Sequence, residues 1–389
     1  MRFLVGLTAA LFLAAPVRAA DPVVQTPAEA WAQDAREYAR AFAVSEEEAG
    51  RRLRLQEASV AVTERLRVLY ADRLAGIAIE HQPEWRVVVL LTGSERPADF
   101  VQEGVPVSFR VGAGATRAAV LAAVDAHRAA IEARVTRLRG MGHDPRTGAL
   151  VIMPRDPLPP EVEAELRALV GVPLEVRVLP VAMSDASAVG GSRVEGFEGT
   201  RRYVCTTGFV VRNGDRAGVT TAAHCPDQLL YRGPDGGERG LTFEGGWGWA
   251  YRDVQIHSGV GAPEGLFFVD RERSVMRPLL SWRTRPQTRS GDFVCMRGES
   301  SGYACSTVEL VDFAPPGELC GGPCAASWVT ATGPACRRGD SGSPVFIGTT
   351  ALGILKGGAY RQAAGRECAF YYYMSVDYLP EGWRLVTAK

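Results

Sequence analysis

Gly339-Asp340-Ser341-Gly342-Ser343-Pro344, taken with Thr221-Ala222-Ala223-His224-Cys225 upstream of it, decides how this chain is to be read. The first string offers a hydroxyl on a glycine-rich loop, and the second a histidine directly before a cysteine. A serine hydroxyl is a weak nucleophile until a neighbouring base, usually imidazole, takes its proton. Glycines beside it let backbone N–H groups approach the oxyanion of a tetrahedral intermediate. The pair points to nucleophilic acyl transfer. Ser341 is the candidate nucleophile, His224 the candidate base and acid, and the N–H groups of Gly339 and Ser341 the candidate oxyanion donors. A Gly-x-Ser-x-Gly elbow does not fit, because Ser343 takes the last glycine position and the histidine precedes the serine in the chain.

Working outward, the 389 residues are enough for two or three domains, and a 46% hydrophobic share provides ample core. Formal net charge is zero, so bulk electrostatics imply no nucleic-acid partner. Lys356 and Lys389 are the only lysines among 44 basic residues. Residues 1–20 read as a secretory signal: Arg2, an apolar run from Phe3 to Ala15, and Val17-Arg18-Ala19 as the cleavage site. The run is too short to serve as a membrane anchor. All eight cysteines lie between Cys205 and Cys368, which reads as disulfides within one exported domain. The expected location is therefore extracellular or periplasmic.

The first half is α+β in pattern. Thr26-Pro27-Ala28-Glu29 and Ser45-Glu46-Glu47-Glu48 are helix starts, and a third helical pattern covers about Val60 to Leu74. Strands are predicted at Trp85–Leu91, Val105–Val111, Leu150–Met153 and Leu174–Leu179, with helices over Thr116–Arg139, ended by Gly140, and Glu161–Val170. Gly112-Ala113-Gly114 is no dinucleotide loop, because Arg117 stands where the third glycine belongs. Met183 to Thr200 reads as a small-residue, cleavable junction.

From Tyr203 onward short strands and turns dominate, which is a sandwich or barrel pattern. A hairpin is predicted from Val204–Arg212, a turn at Asn213-Gly214, and Gly218–Thr221. Further strands are expected at Val254–His257, Leu266–Val269, Phe293–Met296, Thr307–Val311, Val345–Ile347, Ala351–Leu355 and Ala369–Ser375. A third group must orient the imidazole. Asp253, 29 residues after His224 at the start of an alternating run, fits best; Asp270 and Asp227 are the alternatives.

Together the two motifs resemble those of chymotrypsin-like serine endopeptidases. The hairpin from Cys295 to Cys305, the run Val44–Glu57 and the string Gly142–Gly148 are similar to the α-lytic protease and streptogrisin group of bacteria. The resemblance implies an all-β protease domain of two six-stranded antiparallel barrels, with His224 and Ser341 on opposite barrels, preceded by an α+β pro-region. It divides the chain into a signal (1–20), a pro-region that assists folding and then inhibits (21–183), and a protease domain (184–389). It implies a self-processing preproenzyme that cleaves near Ser184–Ala188 and acts as a monomer on protein or peptide substrates, with no cofactor and no metal. It also implies the pairings Cys205–Cys225, Cys295–Cys305 and Cys336–Cys368. Cys320 and Cys324, which have no counterpart in the group, are left to form a small local loop.

Departures from the group are informative. Ser343 replaces a glycine, and Met296 stands where the group carries an arginine paired with the aspartate before the nucleophile, here Asp340. Arg297 and Arg338 are the candidate replacements. Around the primary pocket, Gly357 and Gly358 match the strand that binds substrate backbone, whereas Lys356 replaces a serine and Cys336-Arg337-Arg338, one residue shorter than the group's matching loop, brings two arginines. If Lys356 or Arg337 points into the pocket, an acidic residue before the scissile bond is favoured. If neither does, Leu355 and Ala335 leave a modest apolar pocket, the reading favoured here because buried unpaired cations are costly. A non-catalytic binding protein of the same fold and a secreted esterase are the alternatives from other functional classes.

Overall fold

The computed structural model describes residues 23–179, 182–185, 191–233, 237–259, 265–333, 336–360 and 368–388. The signal segment, Val189-Gly190 and Ala335 lie outside them. Among the described residues no helix is long and apolar enough to cross a membrane.

Local chemistry starts each N-terminal helix. Helix α1 (Pro27–Phe42) begins with the capping box seen in the sequence, Thr26 and Glu29 bonding each other's backbone N–H. Helix α2 (Glu46–Leu69) begins at Ser45, whose hydroxyl accepts the Glu48 N–H. The third helical pattern is the second half of α2, which runs unbroken because nothing interrupts it before Leu69; Leu74 instead opens the strand Leu74–Glu80. Helix α3 (Arg117–Arg134) stops short of Gly140, which belongs to the strand Leu138–Asp144. Gly140 has φ +150°, and a Cβ there would sit 2.3 Å from the Phe313 ring, so the residue permits a close approach rather than ending a helix. Helix α4 covers Pro160–Val170.

Two sheets complete this half. One orders Leu74–Glu80, Arg86–Thr92, Val105–Ala113 and Phe100–Gln102. The other orders Phe313–Ala314, Leu138–Asp144, Ala149–Pro154 and Leu174–Val176, so the second half of the chain donates its edge strand.

The second half is all-β in two parts. The first joins a four-stranded sheet (Arg201–Thr206, Arg193–Glu198, Leu229–Arg232, Glu238–Gly240) to a five-stranded one (Thr242–Trp247, Val254–Ser258, Arg216–Thr221, Val210–Asn213, Arg384–Leu385). The expected Val204–Arg212 strand is broken at 207–209, where the chain passes from one sheet to the other. Its turn falls at Gly214-Asp215, with Gly214 at φ +58°. The junction is less open than its composition implied, since Arg193–Glu198 is a strand of the four-stranded sheet.

The second part is an antiparallel path of six strands: Gly302–Thr307, Phe293–Gly298, Pro344–Ile347, Thr350–Tyr360, Cys368–Ser375 and Val329–Thr332. Its ends meet through the Val308–Ala331 bridge, which closes the barrel and removes its edges. Residues 308–311, predicted as strand, make this closure. Its core includes Phe293, Met296, Val345, Phe346, Leu352, Tyr371 and Tyr373. This is the two-part plan that the motifs implied.

Candidate active site

Register places the imidazole and its carboxylate side by side. Thr221 pairs with Gln255, so His224, three residues past Thr221, and Asp253, two before Gln255, emerge at the same end of neighbouring antiparallel strands. His224 Nδ1 lies 2.8 Å from Asp253 Oδ2, and the His224 backbone N–H donates to Asp253 Oδ1 at 3.2 Å. With the carboxylate ionised, Nδ1 carries the proton and Nε2 is the acceptor. Ser341 Oγ, 2.8 Å from Nε2, donates to it. The Cys205–Cys225 disulfide pins the turn that carries His224.

Ser341 comes from the other part, and backbone contacts join the two. The Thr206 N–H donates to Ser341 O (2.7 Å) across the two parts, and the Gly342 N–H donates to Leu355 O (2.7 Å) within its own part. Gly342 has φ +87°, and a Cβ there would lie 2.1 Å from Thr206 O and 2.4 Å from Thr221 Oγ1. Only glycine lets the nucleophile loop touch the histidine-bearing strand. Gly339, at φ +118°, turns the loop so that its N–H and that of Ser341 donate to no acceptor among the described residues. Two idle donors beside a hydroxyl are what an oxyanion site requires.

Asp340 is held without the expected side-chain arginines. Its carboxylate accepts from the Ser301 hydroxyl (2.5 Å) and from the backbone N–H groups of Arg337, Ser300 and Ser301. Arg297 reaches Glu299 and the carbonyls of Asp270 and Arg271, and Arg338 lies over the Tyr360 ring. Burial pushes the Asp340 carboxyl up to about 6, while the Ser301 hydroxyl and those N–H groups pull it down. A carboxyl raised above its ordinary 3.8 contributes stability that is complete below that value and lost as pH rises through about 6. The Ser341→Ala chain should therefore lose melting temperature relative to Ser341→Ala/Asp340→Asn between pH 4 and pH 7. Parallel calorimetric curves would refute this.

The other expected residues fall as follows. Asp227 is exposed, and Asp270 caps the turn at Ser274, so neither meets His224. Leu355 is buried in the barrel core. Gly357 and Gly358 pair with Asp185 and Ser184 of the strand Ala182–Asp185, which lies antiparallel on Thr350–Tyr360. Arg337 is half-buried and its N–H serves Asp340. Lys356 is buried with its ammonium 3.5 Å from Asp253 Oδ2. All eight cysteines are paired: Cys205–Cys225, Cys295–Cys305, Cys320–Cys324 and Cys336–Cys368. Sequence reasoning missed Trp328, wholly buried beside Lys356, and the Ser300-Ser301 cradle of Asp340. Neither carries a spacing signal in the chain.

An Asp–His–Ser row between two antiparallel β units is the arrangement that chymotrypsin-like serine proteases use. Streptogrisin-C of Streptomyces griseus is 25% identical over 185 residues, which cover 43% of this chain and 35% of that relative. Among solved structures, Thermobifida fusca Protease A aligns at 24% identity and TM-score 0.40, covering 51% of this chain and 98% of its own. Nocardiopsis Protease aligns at 22% identity and TM-score 0.40, covering 51% and 98%. No family model matches the chain.

Proposed function

We propose that this chain is the precursor of an exported serine endopeptidase. The observation that carries the reading is the unbroken row Asp253–His224–Ser341 with two idle N–H donors at Gly339 and Ser341. In this mechanism His224 Nε2 takes the Ser341 proton as Oγ attacks the peptide carbonyl. The two N–H groups hold the oxyanion, and Asp253 stabilises the imidazolium. His224 then protonates the leaving amine, and water hydrolyses the acyl-enzyme by the reverse proton path. A fluorophosphonate probe should label the secreted protein and should not label Ser341→Ala. Failure to label the folded, cleaved protein would reject the reading.

Residues 21–183 act as the pro-region. Helix α1, helix α2 and the 138–144 strand all dock on the protease half, and Ala182–Asp185 adds itself to Thr350–Tyr360. That added strand runs toward Lys356, whose carbonyl lies 3.4 Å from Ser341 Oγ. Self-cleavage is therefore expected beyond Asp185, at a bond that follows one of the small residues Ala186, Ser187 or Ala188, and N-terminal sequencing of secreted protein checks it. A start before Ser184 or beyond Gly191, or the same start from Ser341→Ala, would refute self-cleavage at this bond. With Lys356 turned to Asp253, a small or apolar residue is expected before the scissile bond, which a panel of peptide anilides would read.

A further inference from the structure

Lys356 does not fit the site as a bystander. The chain uses arginine almost everywhere for positive charge, yet places one of its two lysines here. Its side chain is 3% exposed, its ammonium is 3.5 Å from Asp253 Oδ2, and it lies 5.7 Å from the centroid of the buried Trp328 ring. That same Oδ2 receives His224 Nδ1–H at 2.8 Å, so one carboxylate oxygen sits between the imidazole and the lysine side-chain nitrogen. The Lys356 carbonyl meanwhile lies 3.4 Å from Ser341 Oγ. One residue thus borders both ends of the row.

We propose that Lys356 is a positioning residue that acts through Asp253. Its ammonium offsets the carboxylate charge that would otherwise favour the His224 imidazolium, and so keeps His224 available as a base in mildly acidic solution. This rests on the protease reading above.

A bare buried carboxylate beside imidazole favours its charged form, and a cation placed on the same carboxylate weakens that preference. Burial alone would raise the Asp253 carboxyl, but His224 and Lys356 together hold it below its ordinary value. The groups facing this carboxylate are few. His224 comes from the turn after Arg216–Thr221 and Lys356 from Thr350–Tyr360. From Cys368–Ser375, the uncharged Met374 sulfur accepts the Asp253 N–H, and the Tyr372 phenol ring packs on Trp328. Arg252, next in the chain, lies over the Tyr251 ring, and Asp340 adjoins Ser341 on the far side of the row. Lys356 is the cation that touches Asp253 in an ion pair among the described residues.

The test is the pH dependence of kcat/KM for the secreted enzyme. Lys356→Met and Lys356→Gln should move the acid limb upward by about one pH unit, and Lys356→Arg should leave it near the parent's position. A purely structural role would lower activity at every pH and leave the limb in place, which would overturn the proposal. As a readout that needs no turnover, the His224 ring is titrated by NMR in the full-length Ser341→Ala chain with and without Lys356→Met. The midpoint should rise in the Met variant, and an unchanged or lower midpoint would overturn the proposal. Loss of folding in both neutral variants at pH 7 would also overturn it, because Lys356 would then be a stability residue. Absence of fluorophosphonate labelling with a normal rise in the NMR midpoint would reject the protease reading and leave the electrostatic role standing.

Discussion

Ser341→Ala should give a folded, uncleaved chain whose peptidase turnover is lower by about 10⁶-fold. The nucleophile and its base work as a unit, so removing either costs about as much as removing both. The idle N–H groups of Gly339 and Ser341 remain, and with substrate binding they should leave a residue of about 10³–10⁴-fold over uncatalysed hydrolysis. The fold should not suffer, because among the described residues Oγ bonds only His224 Nε2 and the Lys356 carbonyl, and the loop is held by backbone contacts at Ser341 O and Gly342 N–H. The measurement pairs kcat on a peptide anilide with the size of the secreted product. Activity within tenfold of the parent would place the nucleophile elsewhere.

The second large effect concerns docking of the N-terminal half. Arg277 and Asp34 form an ion pair 3.0 Å long in which both side chains are fully buried. Asp34 also accepts from the Tyr303 hydroxyl and the Gly348 N–H, and Arg277 also donates to Gly348 O and to the side chains of Gln33 and Gln25. Helix α1 therefore docks on the C-terminal half through a charge pair that water cannot reach. Asp34→Ala leaves Arg277 buried without its carboxylate and should cost about 3–5 kcal/mol, because an uncompensated buried charge is the expensive outcome. We expect the denaturant midpoint of the Ser341→Ala chain to drop steeply in this variant. Replacing both partners, as Asp34→Leu/Arg277→Met, should restore most of the loss, since a well-packed apolar pair avoids the desolvation penalty. A double variant no better than Asp34→Ala would show that the geometry of the pair, rather than its charge, holds α1 in place.

Several features were legible before any tertiary information. The capping residues Thr26 and Ser45 open helices where local hydrogen bonding predicts them. The motifs around His224 and Ser341 identify groups that the fold brings to 2.8 Å. Boundaries governed by long-range pairing were not legible. Residues near Leu74 and Gly140 carry helical patterns on their own, but become strand because the next strands, around Leu91 and Met153, supply their hydrogen bonds. The Val204–Arg212 run looks continuous, yet splits at 207–209 because its two ends belong to different sheets.

The sequence by itself determined the chemistry on offer: a serine in a glycine loop, a histidine beside a cysteine, and disulfides confined to one half of the chain. Such signals reside in residue type and in spacing of a few positions, which the covalent chain sets directly. Tertiary structure alone decided which charges meet. Asp253 was one of three aspartates that could have served, and strand register brought it to His224. Lys356 could have faced a substrate pocket, and burial against Trp328 turned it to Asp253 instead. Asp340 was expected to need an arginine, and the Ser300-Ser301 turn supplied its donors. Buried charges are costly unless partnered, and their partners come from strands far apart in sequence, so only the packed fold makes those choices.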